Sequence, residues 1–154
     1  MNKAGSYKNF PGRPAMVPET SEEAMDTNPQ TALATGRTIH TATGSRQAAD
    51  IPWKDHPAFA GVALRHLVTA ADTEGALSCH LVRLDPGASL ASHVHDGQWE
   101  LHEVVAGSGT ASLNGAPADY LPGVAAVIPR SVPHEVTAGE QGLTLYAKFF
   151  PALL

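Results

Sequence analysis

An all-β fold, closed into a single unit, is predicted by three features of this 154-residue chain. From Arg37 onward short apolar runs recur between turn signals, the texture of a β-sandwich or barrel. The turns are chemically specific: DTEG before Leu77, DPG before Ser89, NG at Asn114 and Gly115, LPG before Val124 and GEQG before Leu143. Between them no segment keeps a helical period, and no internal repeat interrupts the region.

Taken in order, residues 1–36 form a tail or arm rich in Pro, Thr, Ser, Ala and Glu without sustained period; SEEAM at Ser21 has the makings of one helical turn. Its alternative is to fold against a partner subunit. Residues 37–154 form the barrel domain. The strands expected there are Thr38 to Ala42, Val62 to Val68, Leu77 to Leu84, Ser89 to His95, Gln98 to Val105, Thr110 to Leu113, Ala118 to Leu121, Ala125 to Ile128, His134 to Thr137 and Leu143 to Phe150. Asn114-Gly115 reads as a two-residue hairpin turn.

Composition narrows the function. Ten basic and fifteen acidic residues give a net charge of -5, with no Lys/Arg stripe to hold phosphates, which argues against a nucleic-acid partner. The start MNKAGSYKNFPGRPAM lacks the apolar core of a signal peptide, and no later run approaches the roughly 18 apolar residues of a membrane span. A cytoplasmic protein without a membrane partner is the expectation. The single cysteine, Cys79, makes no internal disulfide and reads as a buried small residue in an apolar strand.

The densest chemistry is HVHDGQWELHE, His93 to Glu103. Residues two apart in a strand point to one face, roughly 6.6 Å apart, so His93 and His95 form a natural ligand pair. Asp96-Gly97 predicts a two-residue hairpin, which would set His95 opposite Gln98 and His93 opposite Glu100. Facing Cβ atoms lie about 5 Å apart, within reach of a shared ion about 2.1 Å from each donor. A longer loop would pair His95 with Glu100 instead. Either way Gln98, Glu100 and His102 share the histidine face, while Trp99, Leu101 and Glu103 take the other. A solvated hairpin could also carry these groups. Against that, the same face continues into Val104, and a buried cluster of this kind needs a cation or protons.

GASLASHVHDGQWELHEVVAG, Gly87 to Gly107, has the form G-x5-H-x-H-x4-E-x6-G and resembles the first conserved motif of the cupin superfamily. Gly123 to Ala138, GVAAVIPRSVPHEVTA, is similar to the second, G-x5-P-x-G-x2-H-x3-N: Gly123, Pro129 and His134 fall in place, whereas Ser131 and Ala138 replace the second glycine and the asparagine. The spacer between the motifs resembles that of small single-domain bacterial cupins. The resemblance implies a double-stranded β-helix, a small jelly-roll barrel. It implies a metal set of His93, His95, Glu100 and His134, and a homodimer in which an N-terminal arm is often exchanged.

Three imidazoles and one carboxylate leave positive charge on a divalent ion, so its open positions suit a small anionic or oxygen-donor ligand. Such donors accept Fe, Mn, Ni, Co, Cu or Zn. The expected function is that of a metal-dependent small-molecule enzyme, dioxygenase-like ahead of isomerase or lyase, with a non-catalytic ligand-binding or sensing protein as the alternative. His102 and Gln98 are the candidate catalytic residues. His102 could orient a ligand, act as a base or simply pack; Gln98 could contact substrate or sit solvated. His80 is a weaker cavity candidate. Tyr146 and Lys148 read as an exposed strand face, and His40, His56 and His66 as surface or packing residues. Trp53 reads as an aromatic plug or dimer contact.

Overall fold

The computed structural model describes residues 36–154, so all but the last residue of the expected arm, and its exchange between subunits, lie outside the described residues. Ten strands, a 3-10 turn (Ala48–Asp50) and one α-helical turn make up the regular structure of the described chain. β1 (Thr38–Thr41) and β2 (Gly44–Gln47) form a separate two-stranded ladder. β3 (Lys54–Asp55), β4 (Val62–Val68), β5 (Ser78–Leu84), β6 (Ser89–His93), β7 (Trp99–Leu113), β8 (Ala116–Tyr120), β9 (Ala125–Ile128) and β10 (His134–Phe150) form one antiparallel sheet that curls into a jelly-roll barrel. The turn α1 (Ala70–Thr73) links β4 to β5.

β7 and β10 organise the barrel. β10 pairs with β7 along most of its length, with β5 through Leu143 to Phe149, and with β6 through His134 to Thr137. β7 in turn pairs with β8 and β9. The interior is apolar: Val82, Leu90, Val136, Leu145 and Phe149 are buried in one cluster with Tyr120.

The sequence divides each long strand in two, and the structure joins the halves through a bulge. In β10 the side chains buried toward the barrel interior are His134, Val136 and Ala138, then Leu143, Leu145, Ala147 and Phe149, so the inward parity changes from even to odd across GEQG, while Tyr146, expected on an exposed face, is buried in a second cluster with Cys79 and Val105. The register shifts between Ala138 and Leu143, and Gly142 has φ +75°. β7 makes the matching change beside Gly107, which has φ +77° and pairs with Leu143. A turn signal read one-dimensionally thus becomes a bend, because two strands that bulge together can follow the curve of a barrel without separating.

The hairpin expected at Asp96-Gly97 does not form. β6 pairs with β10 and not with β7. Neither Asp96 nor Gly97 takes the positive φ that a two-residue hairpin turn requires, and the chain crosses to the next strand by a loop. By contrast Asn114 (φ 51°) and Gly115 (φ 81°) make the expected hairpin, with Leu113 opposite Ala116.

A Cβ on Gly107 would strike the carbonyl of Gly142, at a φ that other residues seldom adopt. Gly107→Ala is expected to lower the unfolding free energy by at least about 2 kcal/mol, read as a shift in denaturation midpoint at unchanged slope.

Candidate metal centre

Inward alternation of β7 buries Glu100 and His102 and turns Glu103 outward, where it pairs with Lys148. Trp99 is exposed on the outer side. His134 opens β10 directly opposite His93 of β6, and His95 lies just past the end of β6. One ligand atom from each of His93, His95, Glu100 and His134 lies within 4.8 Å of all the others. The hairpin expected to assemble them does not exist; barrel closure brings β6, β7 and β10 together instead.

Hydrogen bonding fixes which nitrogens are free. The Nδ1–H of His93 donates to the carbonyl of Ala91 (2.8 Å), and that of His134 to Val132 (3.0 Å). Each ring is therefore held by the backbone two residues earlier, with its Nε2 lone pair directed inward. Burial lowers the pKa of His93 and of His95, so both present neutral imidazoles.

Glu100 is the charged centre, only 4% exposed. Burial alone would raise its pKa, but the hydrogen bond from His102 and the surrounding imidazoles outweigh it and hold the carboxyl well below the usual range. Its Oε1 accepts from His102 Nε2–H at 2.7 Å, and His102 Nδ1 accepts from the Tyr120 hydroxyl at 3.0 Å. Both nitrogens of His102 are engaged. Its ring links a wholly buried tyrosine to the outer oxygen of the carboxylate.

The inner oxygen tells more. Glu100 Oε2 and His134 Nε2 lie 3.0 Å apart, both buried, yet neither has a hydrogen-bond partner among the described residues. With His134 Nδ1 donating to Val132, these are two lone-pair atoms facing each other, an arrangement that repels unless a positive charge lies between them. For His134, burial works against protonation and the nearby carboxylate more than reverses it, so the same spot attracts positive charge from either partner's side. Three imidazole nitrogens and a carboxylate oxygen are a fitting donor set for a divalent transition metal ion.

The group opens into a cavity of about 230 Å³ that also touches His56, Phe59, Phe149 and Leu153. A larger cleft of about 500 Å³, against Glu103 and Tyr146, lies outside the barrel and holds none of the candidate ligands. Gln98 is not brought to the group: it precedes β7, partly exposed, and is not among the residues lining the cavity. His80 is fully buried but faces elsewhere, bonded to His66 (2.9 Å) and Ser78 (3.0 Å). Burial, then His66, lowers its pKa to about 4. The guanidinium groups of Arg65 and Arg83 both lie over the Trp53 ring, 4.6 and 4.8 Å from its centroid. Ser131, in place of the motif glycine, adopts φ 60°, and its hydroxyl donates to Asp96 at 3.0 Å, tying the second motif to the loop after β6.

Two contributors escaped the sequence. His56 lines the cavity wall, its Nδ1 accepting from the backbone N–H groups of Ala58 and Phe59. Tyr120 carries a partial signal, since a strand tyrosine that is buried needs a hydrogen-bond partner, but only the register of β8 on β7 identifies His102 as that partner.

Residues 80–146 match the family model described as Cupin domain. Among solved structures, KdgF from Halomonas sp. superposes with a TM-score of 0.58 at 26% identity, over 65% of this chain and 86% of that one. A predicted oxalate decarboxylase from Thermotoga maritima gives 0.62 at 22% identity, over 68% and 96%. An RmlC-like cupin from Shewanella frigidimarina gives 0.59 at 21%, over 68% and 86%. No curated protein matches the sequence. At these identities the last two likenesses speak for the fold alone.

Tyr120→Phe removes the hydroxyl that satisfies His102 Nδ1 and is expected to cost about 1–3 kcal/mol of unfolding free energy, measured by urea denaturation. A variant as stable as the parent would show that the bond contributes nothing to the folded state.

Proposed function

Since the chain belongs to the cupin superfamily, its domain match and its barrel agreeing, we propose that it is a metal-dependent small-molecule enzyme whose divalent ion is held by His93, His95, Glu100 and His134. The observation that carries the reading is the pair of unpartnered lone-pair atoms, Glu100 Oε2 and His134 Nε2, 3.0 Å apart in the buried cavity. A bound divalent ion supplies Lewis acidity, open positions for oxygen donors and, for a redox-active metal, electron transfer. His93 and His134 are oriented by backbone carbonyls to offer Nε2, and His102 is a positioning residue that holds the Glu100 carboxylate through its outer oxygen while Tyr120 holds His102.

Oxidative, dioxygenase-like chemistry stands ahead of isomerase or lyase chemistry in this reading. Proton-transfer reactions call for a positioned acid or base beside the substrate. Among the described residues lining the cavity, the ionisable groups besides the four candidate ligands are His102, engaged at both nitrogens, and His56, engaged at Nδ1. The same observation favours the second reading, a ligand-binding or sensing cupin that performs no turnover. No helix in the described residues is long and apolar enough to cross a membrane. A homodimer and a cytoplasmic setting complete the proposal.

Elemental analysis of protein isolated from its own host is expected to find about one transition metal ion per chain. His93→Ala and His134→Ala are expected to lose it. His102→Leu, which leaves all four donors in place, is expected to keep it with about 10–100-fold weaker affinity in chelator competition. Metal-free native protein, or full metal retention by both alanine variants, would overturn the reading. Metal-replete protein that binds a ligand without converting it would favour the sensing alternative.

A further inference from the structure

Resting on the metal-centre reading, we infer that the ligand is small and amphipathic: one oxygen-donor end for the ion, at most one negative charge, and a hydrocarbon body. The wall of the cavity sets these limits. Beyond the candidate ligands, His102 and His56 it is apolar, formed by Leu64, Val82, Leu90, Ala147 and Phe149 of the strands, with Phe59 from the loop between β3 and β4 and Leu153 from the segment after β10. Among the described residues that line it there is no lysine or arginine.

That combination selects by charge and by polarity. One carboxylate or enolate is matched by the positive charge left on an ion that carries a single anionic ligand. A second carboxylate, or a phosphate, would be taken out of water with no cation to meet it, which is strongly unfavourable. His56 does not fill that gap: its Nδ1 accepts from the N–H groups of Ala58 and Phe59, and burial lowers its pKa, so the ring is neutral and offers a single N–H. Size selects as well. About 230 Å³ lies below the roughly 300–1,000 Å³ of sites for drug-sized ligands and holds on the order of eight water-sized groups. A short-chain α-keto acid with an alkyl tail, or a hydroxyketone of similar size, meets all three conditions; sugar acids, dicarboxylates and phosphate esters do not.

His56, Leu64 and Leu153 also border an outer cleft whose other walls are Lys54, Asp55, Pro57, His66 and Leu154, so the apolar wall stops at a charged rim and suits a tail short enough to end inside it. Phe59 stands against the centre, its ring centroid 5.7 Å from that of His93.

The test uses two probes with the same metal-facing end, α-ketoisocaproate with an isobutyl tail and α-ketoglutarate with a second carboxylate, titrated calorimetrically into the metal-loaded full chain after its metal content is measured. The parent is expected to bind α-ketoisocaproate at least about tenfold more tightly. Phe59→Arg places a cation in the wall and is expected to erase or reverse that preference, whereas Phe59→Leu keeps it; Leu153→Lys is a second site for the same change should Phe59→Arg misfold. Equal or tighter binding of α-ketoglutarate by metal-replete parent protein overturns the inference and leaves the metal centre standing, as does binding of neither probe. Parent protein that takes up no metal overturns the metal reading and this inference with it.

Discussion

A single buried negative charge governs the interior of this protein. Glu100 sits 4% exposed in a barrel otherwise lined by aliphatic and aromatic side chains. An isolated carboxylate there would be prohibitively costly, and neutralising it by protonation is opposed by every polar neighbour it has. Compensation is divided between its two oxygens. The outer one is met by His102, which is itself held by Tyr120. The inner one faces the Nε2 atoms of His134 and His95, at 3.0 and 3.4 Å, without an aligned hydrogen bond to either. One side of the carboxylate is thus completed by protein, and the other is left for a cation.

The histidines answer that charge because the backbone holds them. His93 and His134 repeat the same device, a ring Nδ1–H bonded to the carbonyl two residues earlier, on strands that lie side by side. Rotation of either ring would break this bond as well as displace Nε2, so the donor set is arranged before any ion arrives. Such preorganisation is what allows a cluster of like dipoles to persist in an apolar setting. The apolar wall matters equally, because it limits what else can share the cavity with the group.

The barrel's shape depends on two strands longer than their sequence suggests. β7 and β10 each change inward parity partway along, at a glycine with positive φ, and they change together. Turn-forming residues in GEQG and around Gly107 read as strand ends when taken one strand at a time. Paired side by side, they bend a continuous ladder around the core. The Asp96-Gly97 signal misled for a related reason: local turn propensity is weak against the closure of the sheet, and β6 finds a better partner in β10 than in the strand that follows it.

Sequence by itself determined the alternation that buries Glu100 and His102 and expels Glu103, because side-chain parity along a strand survives any choice of partner. It also determined the strands Val62–Val68 and Ala125–Ile128, the Asn114-Gly115 hairpin and, through spacing that resembles a family motif, the group to which His134 belongs. Partners were decided only by the tertiary structure. That His93 lies opposite His134, that Tyr120 reaches His102 from another strand, that His56 rather than Gln98 joins the cavity wall and that His80 turns away toward His66 all depend on contacts between residues far apart in the chain. Periodicity says which way a side chain points, and only closure of the sheet says what it points at.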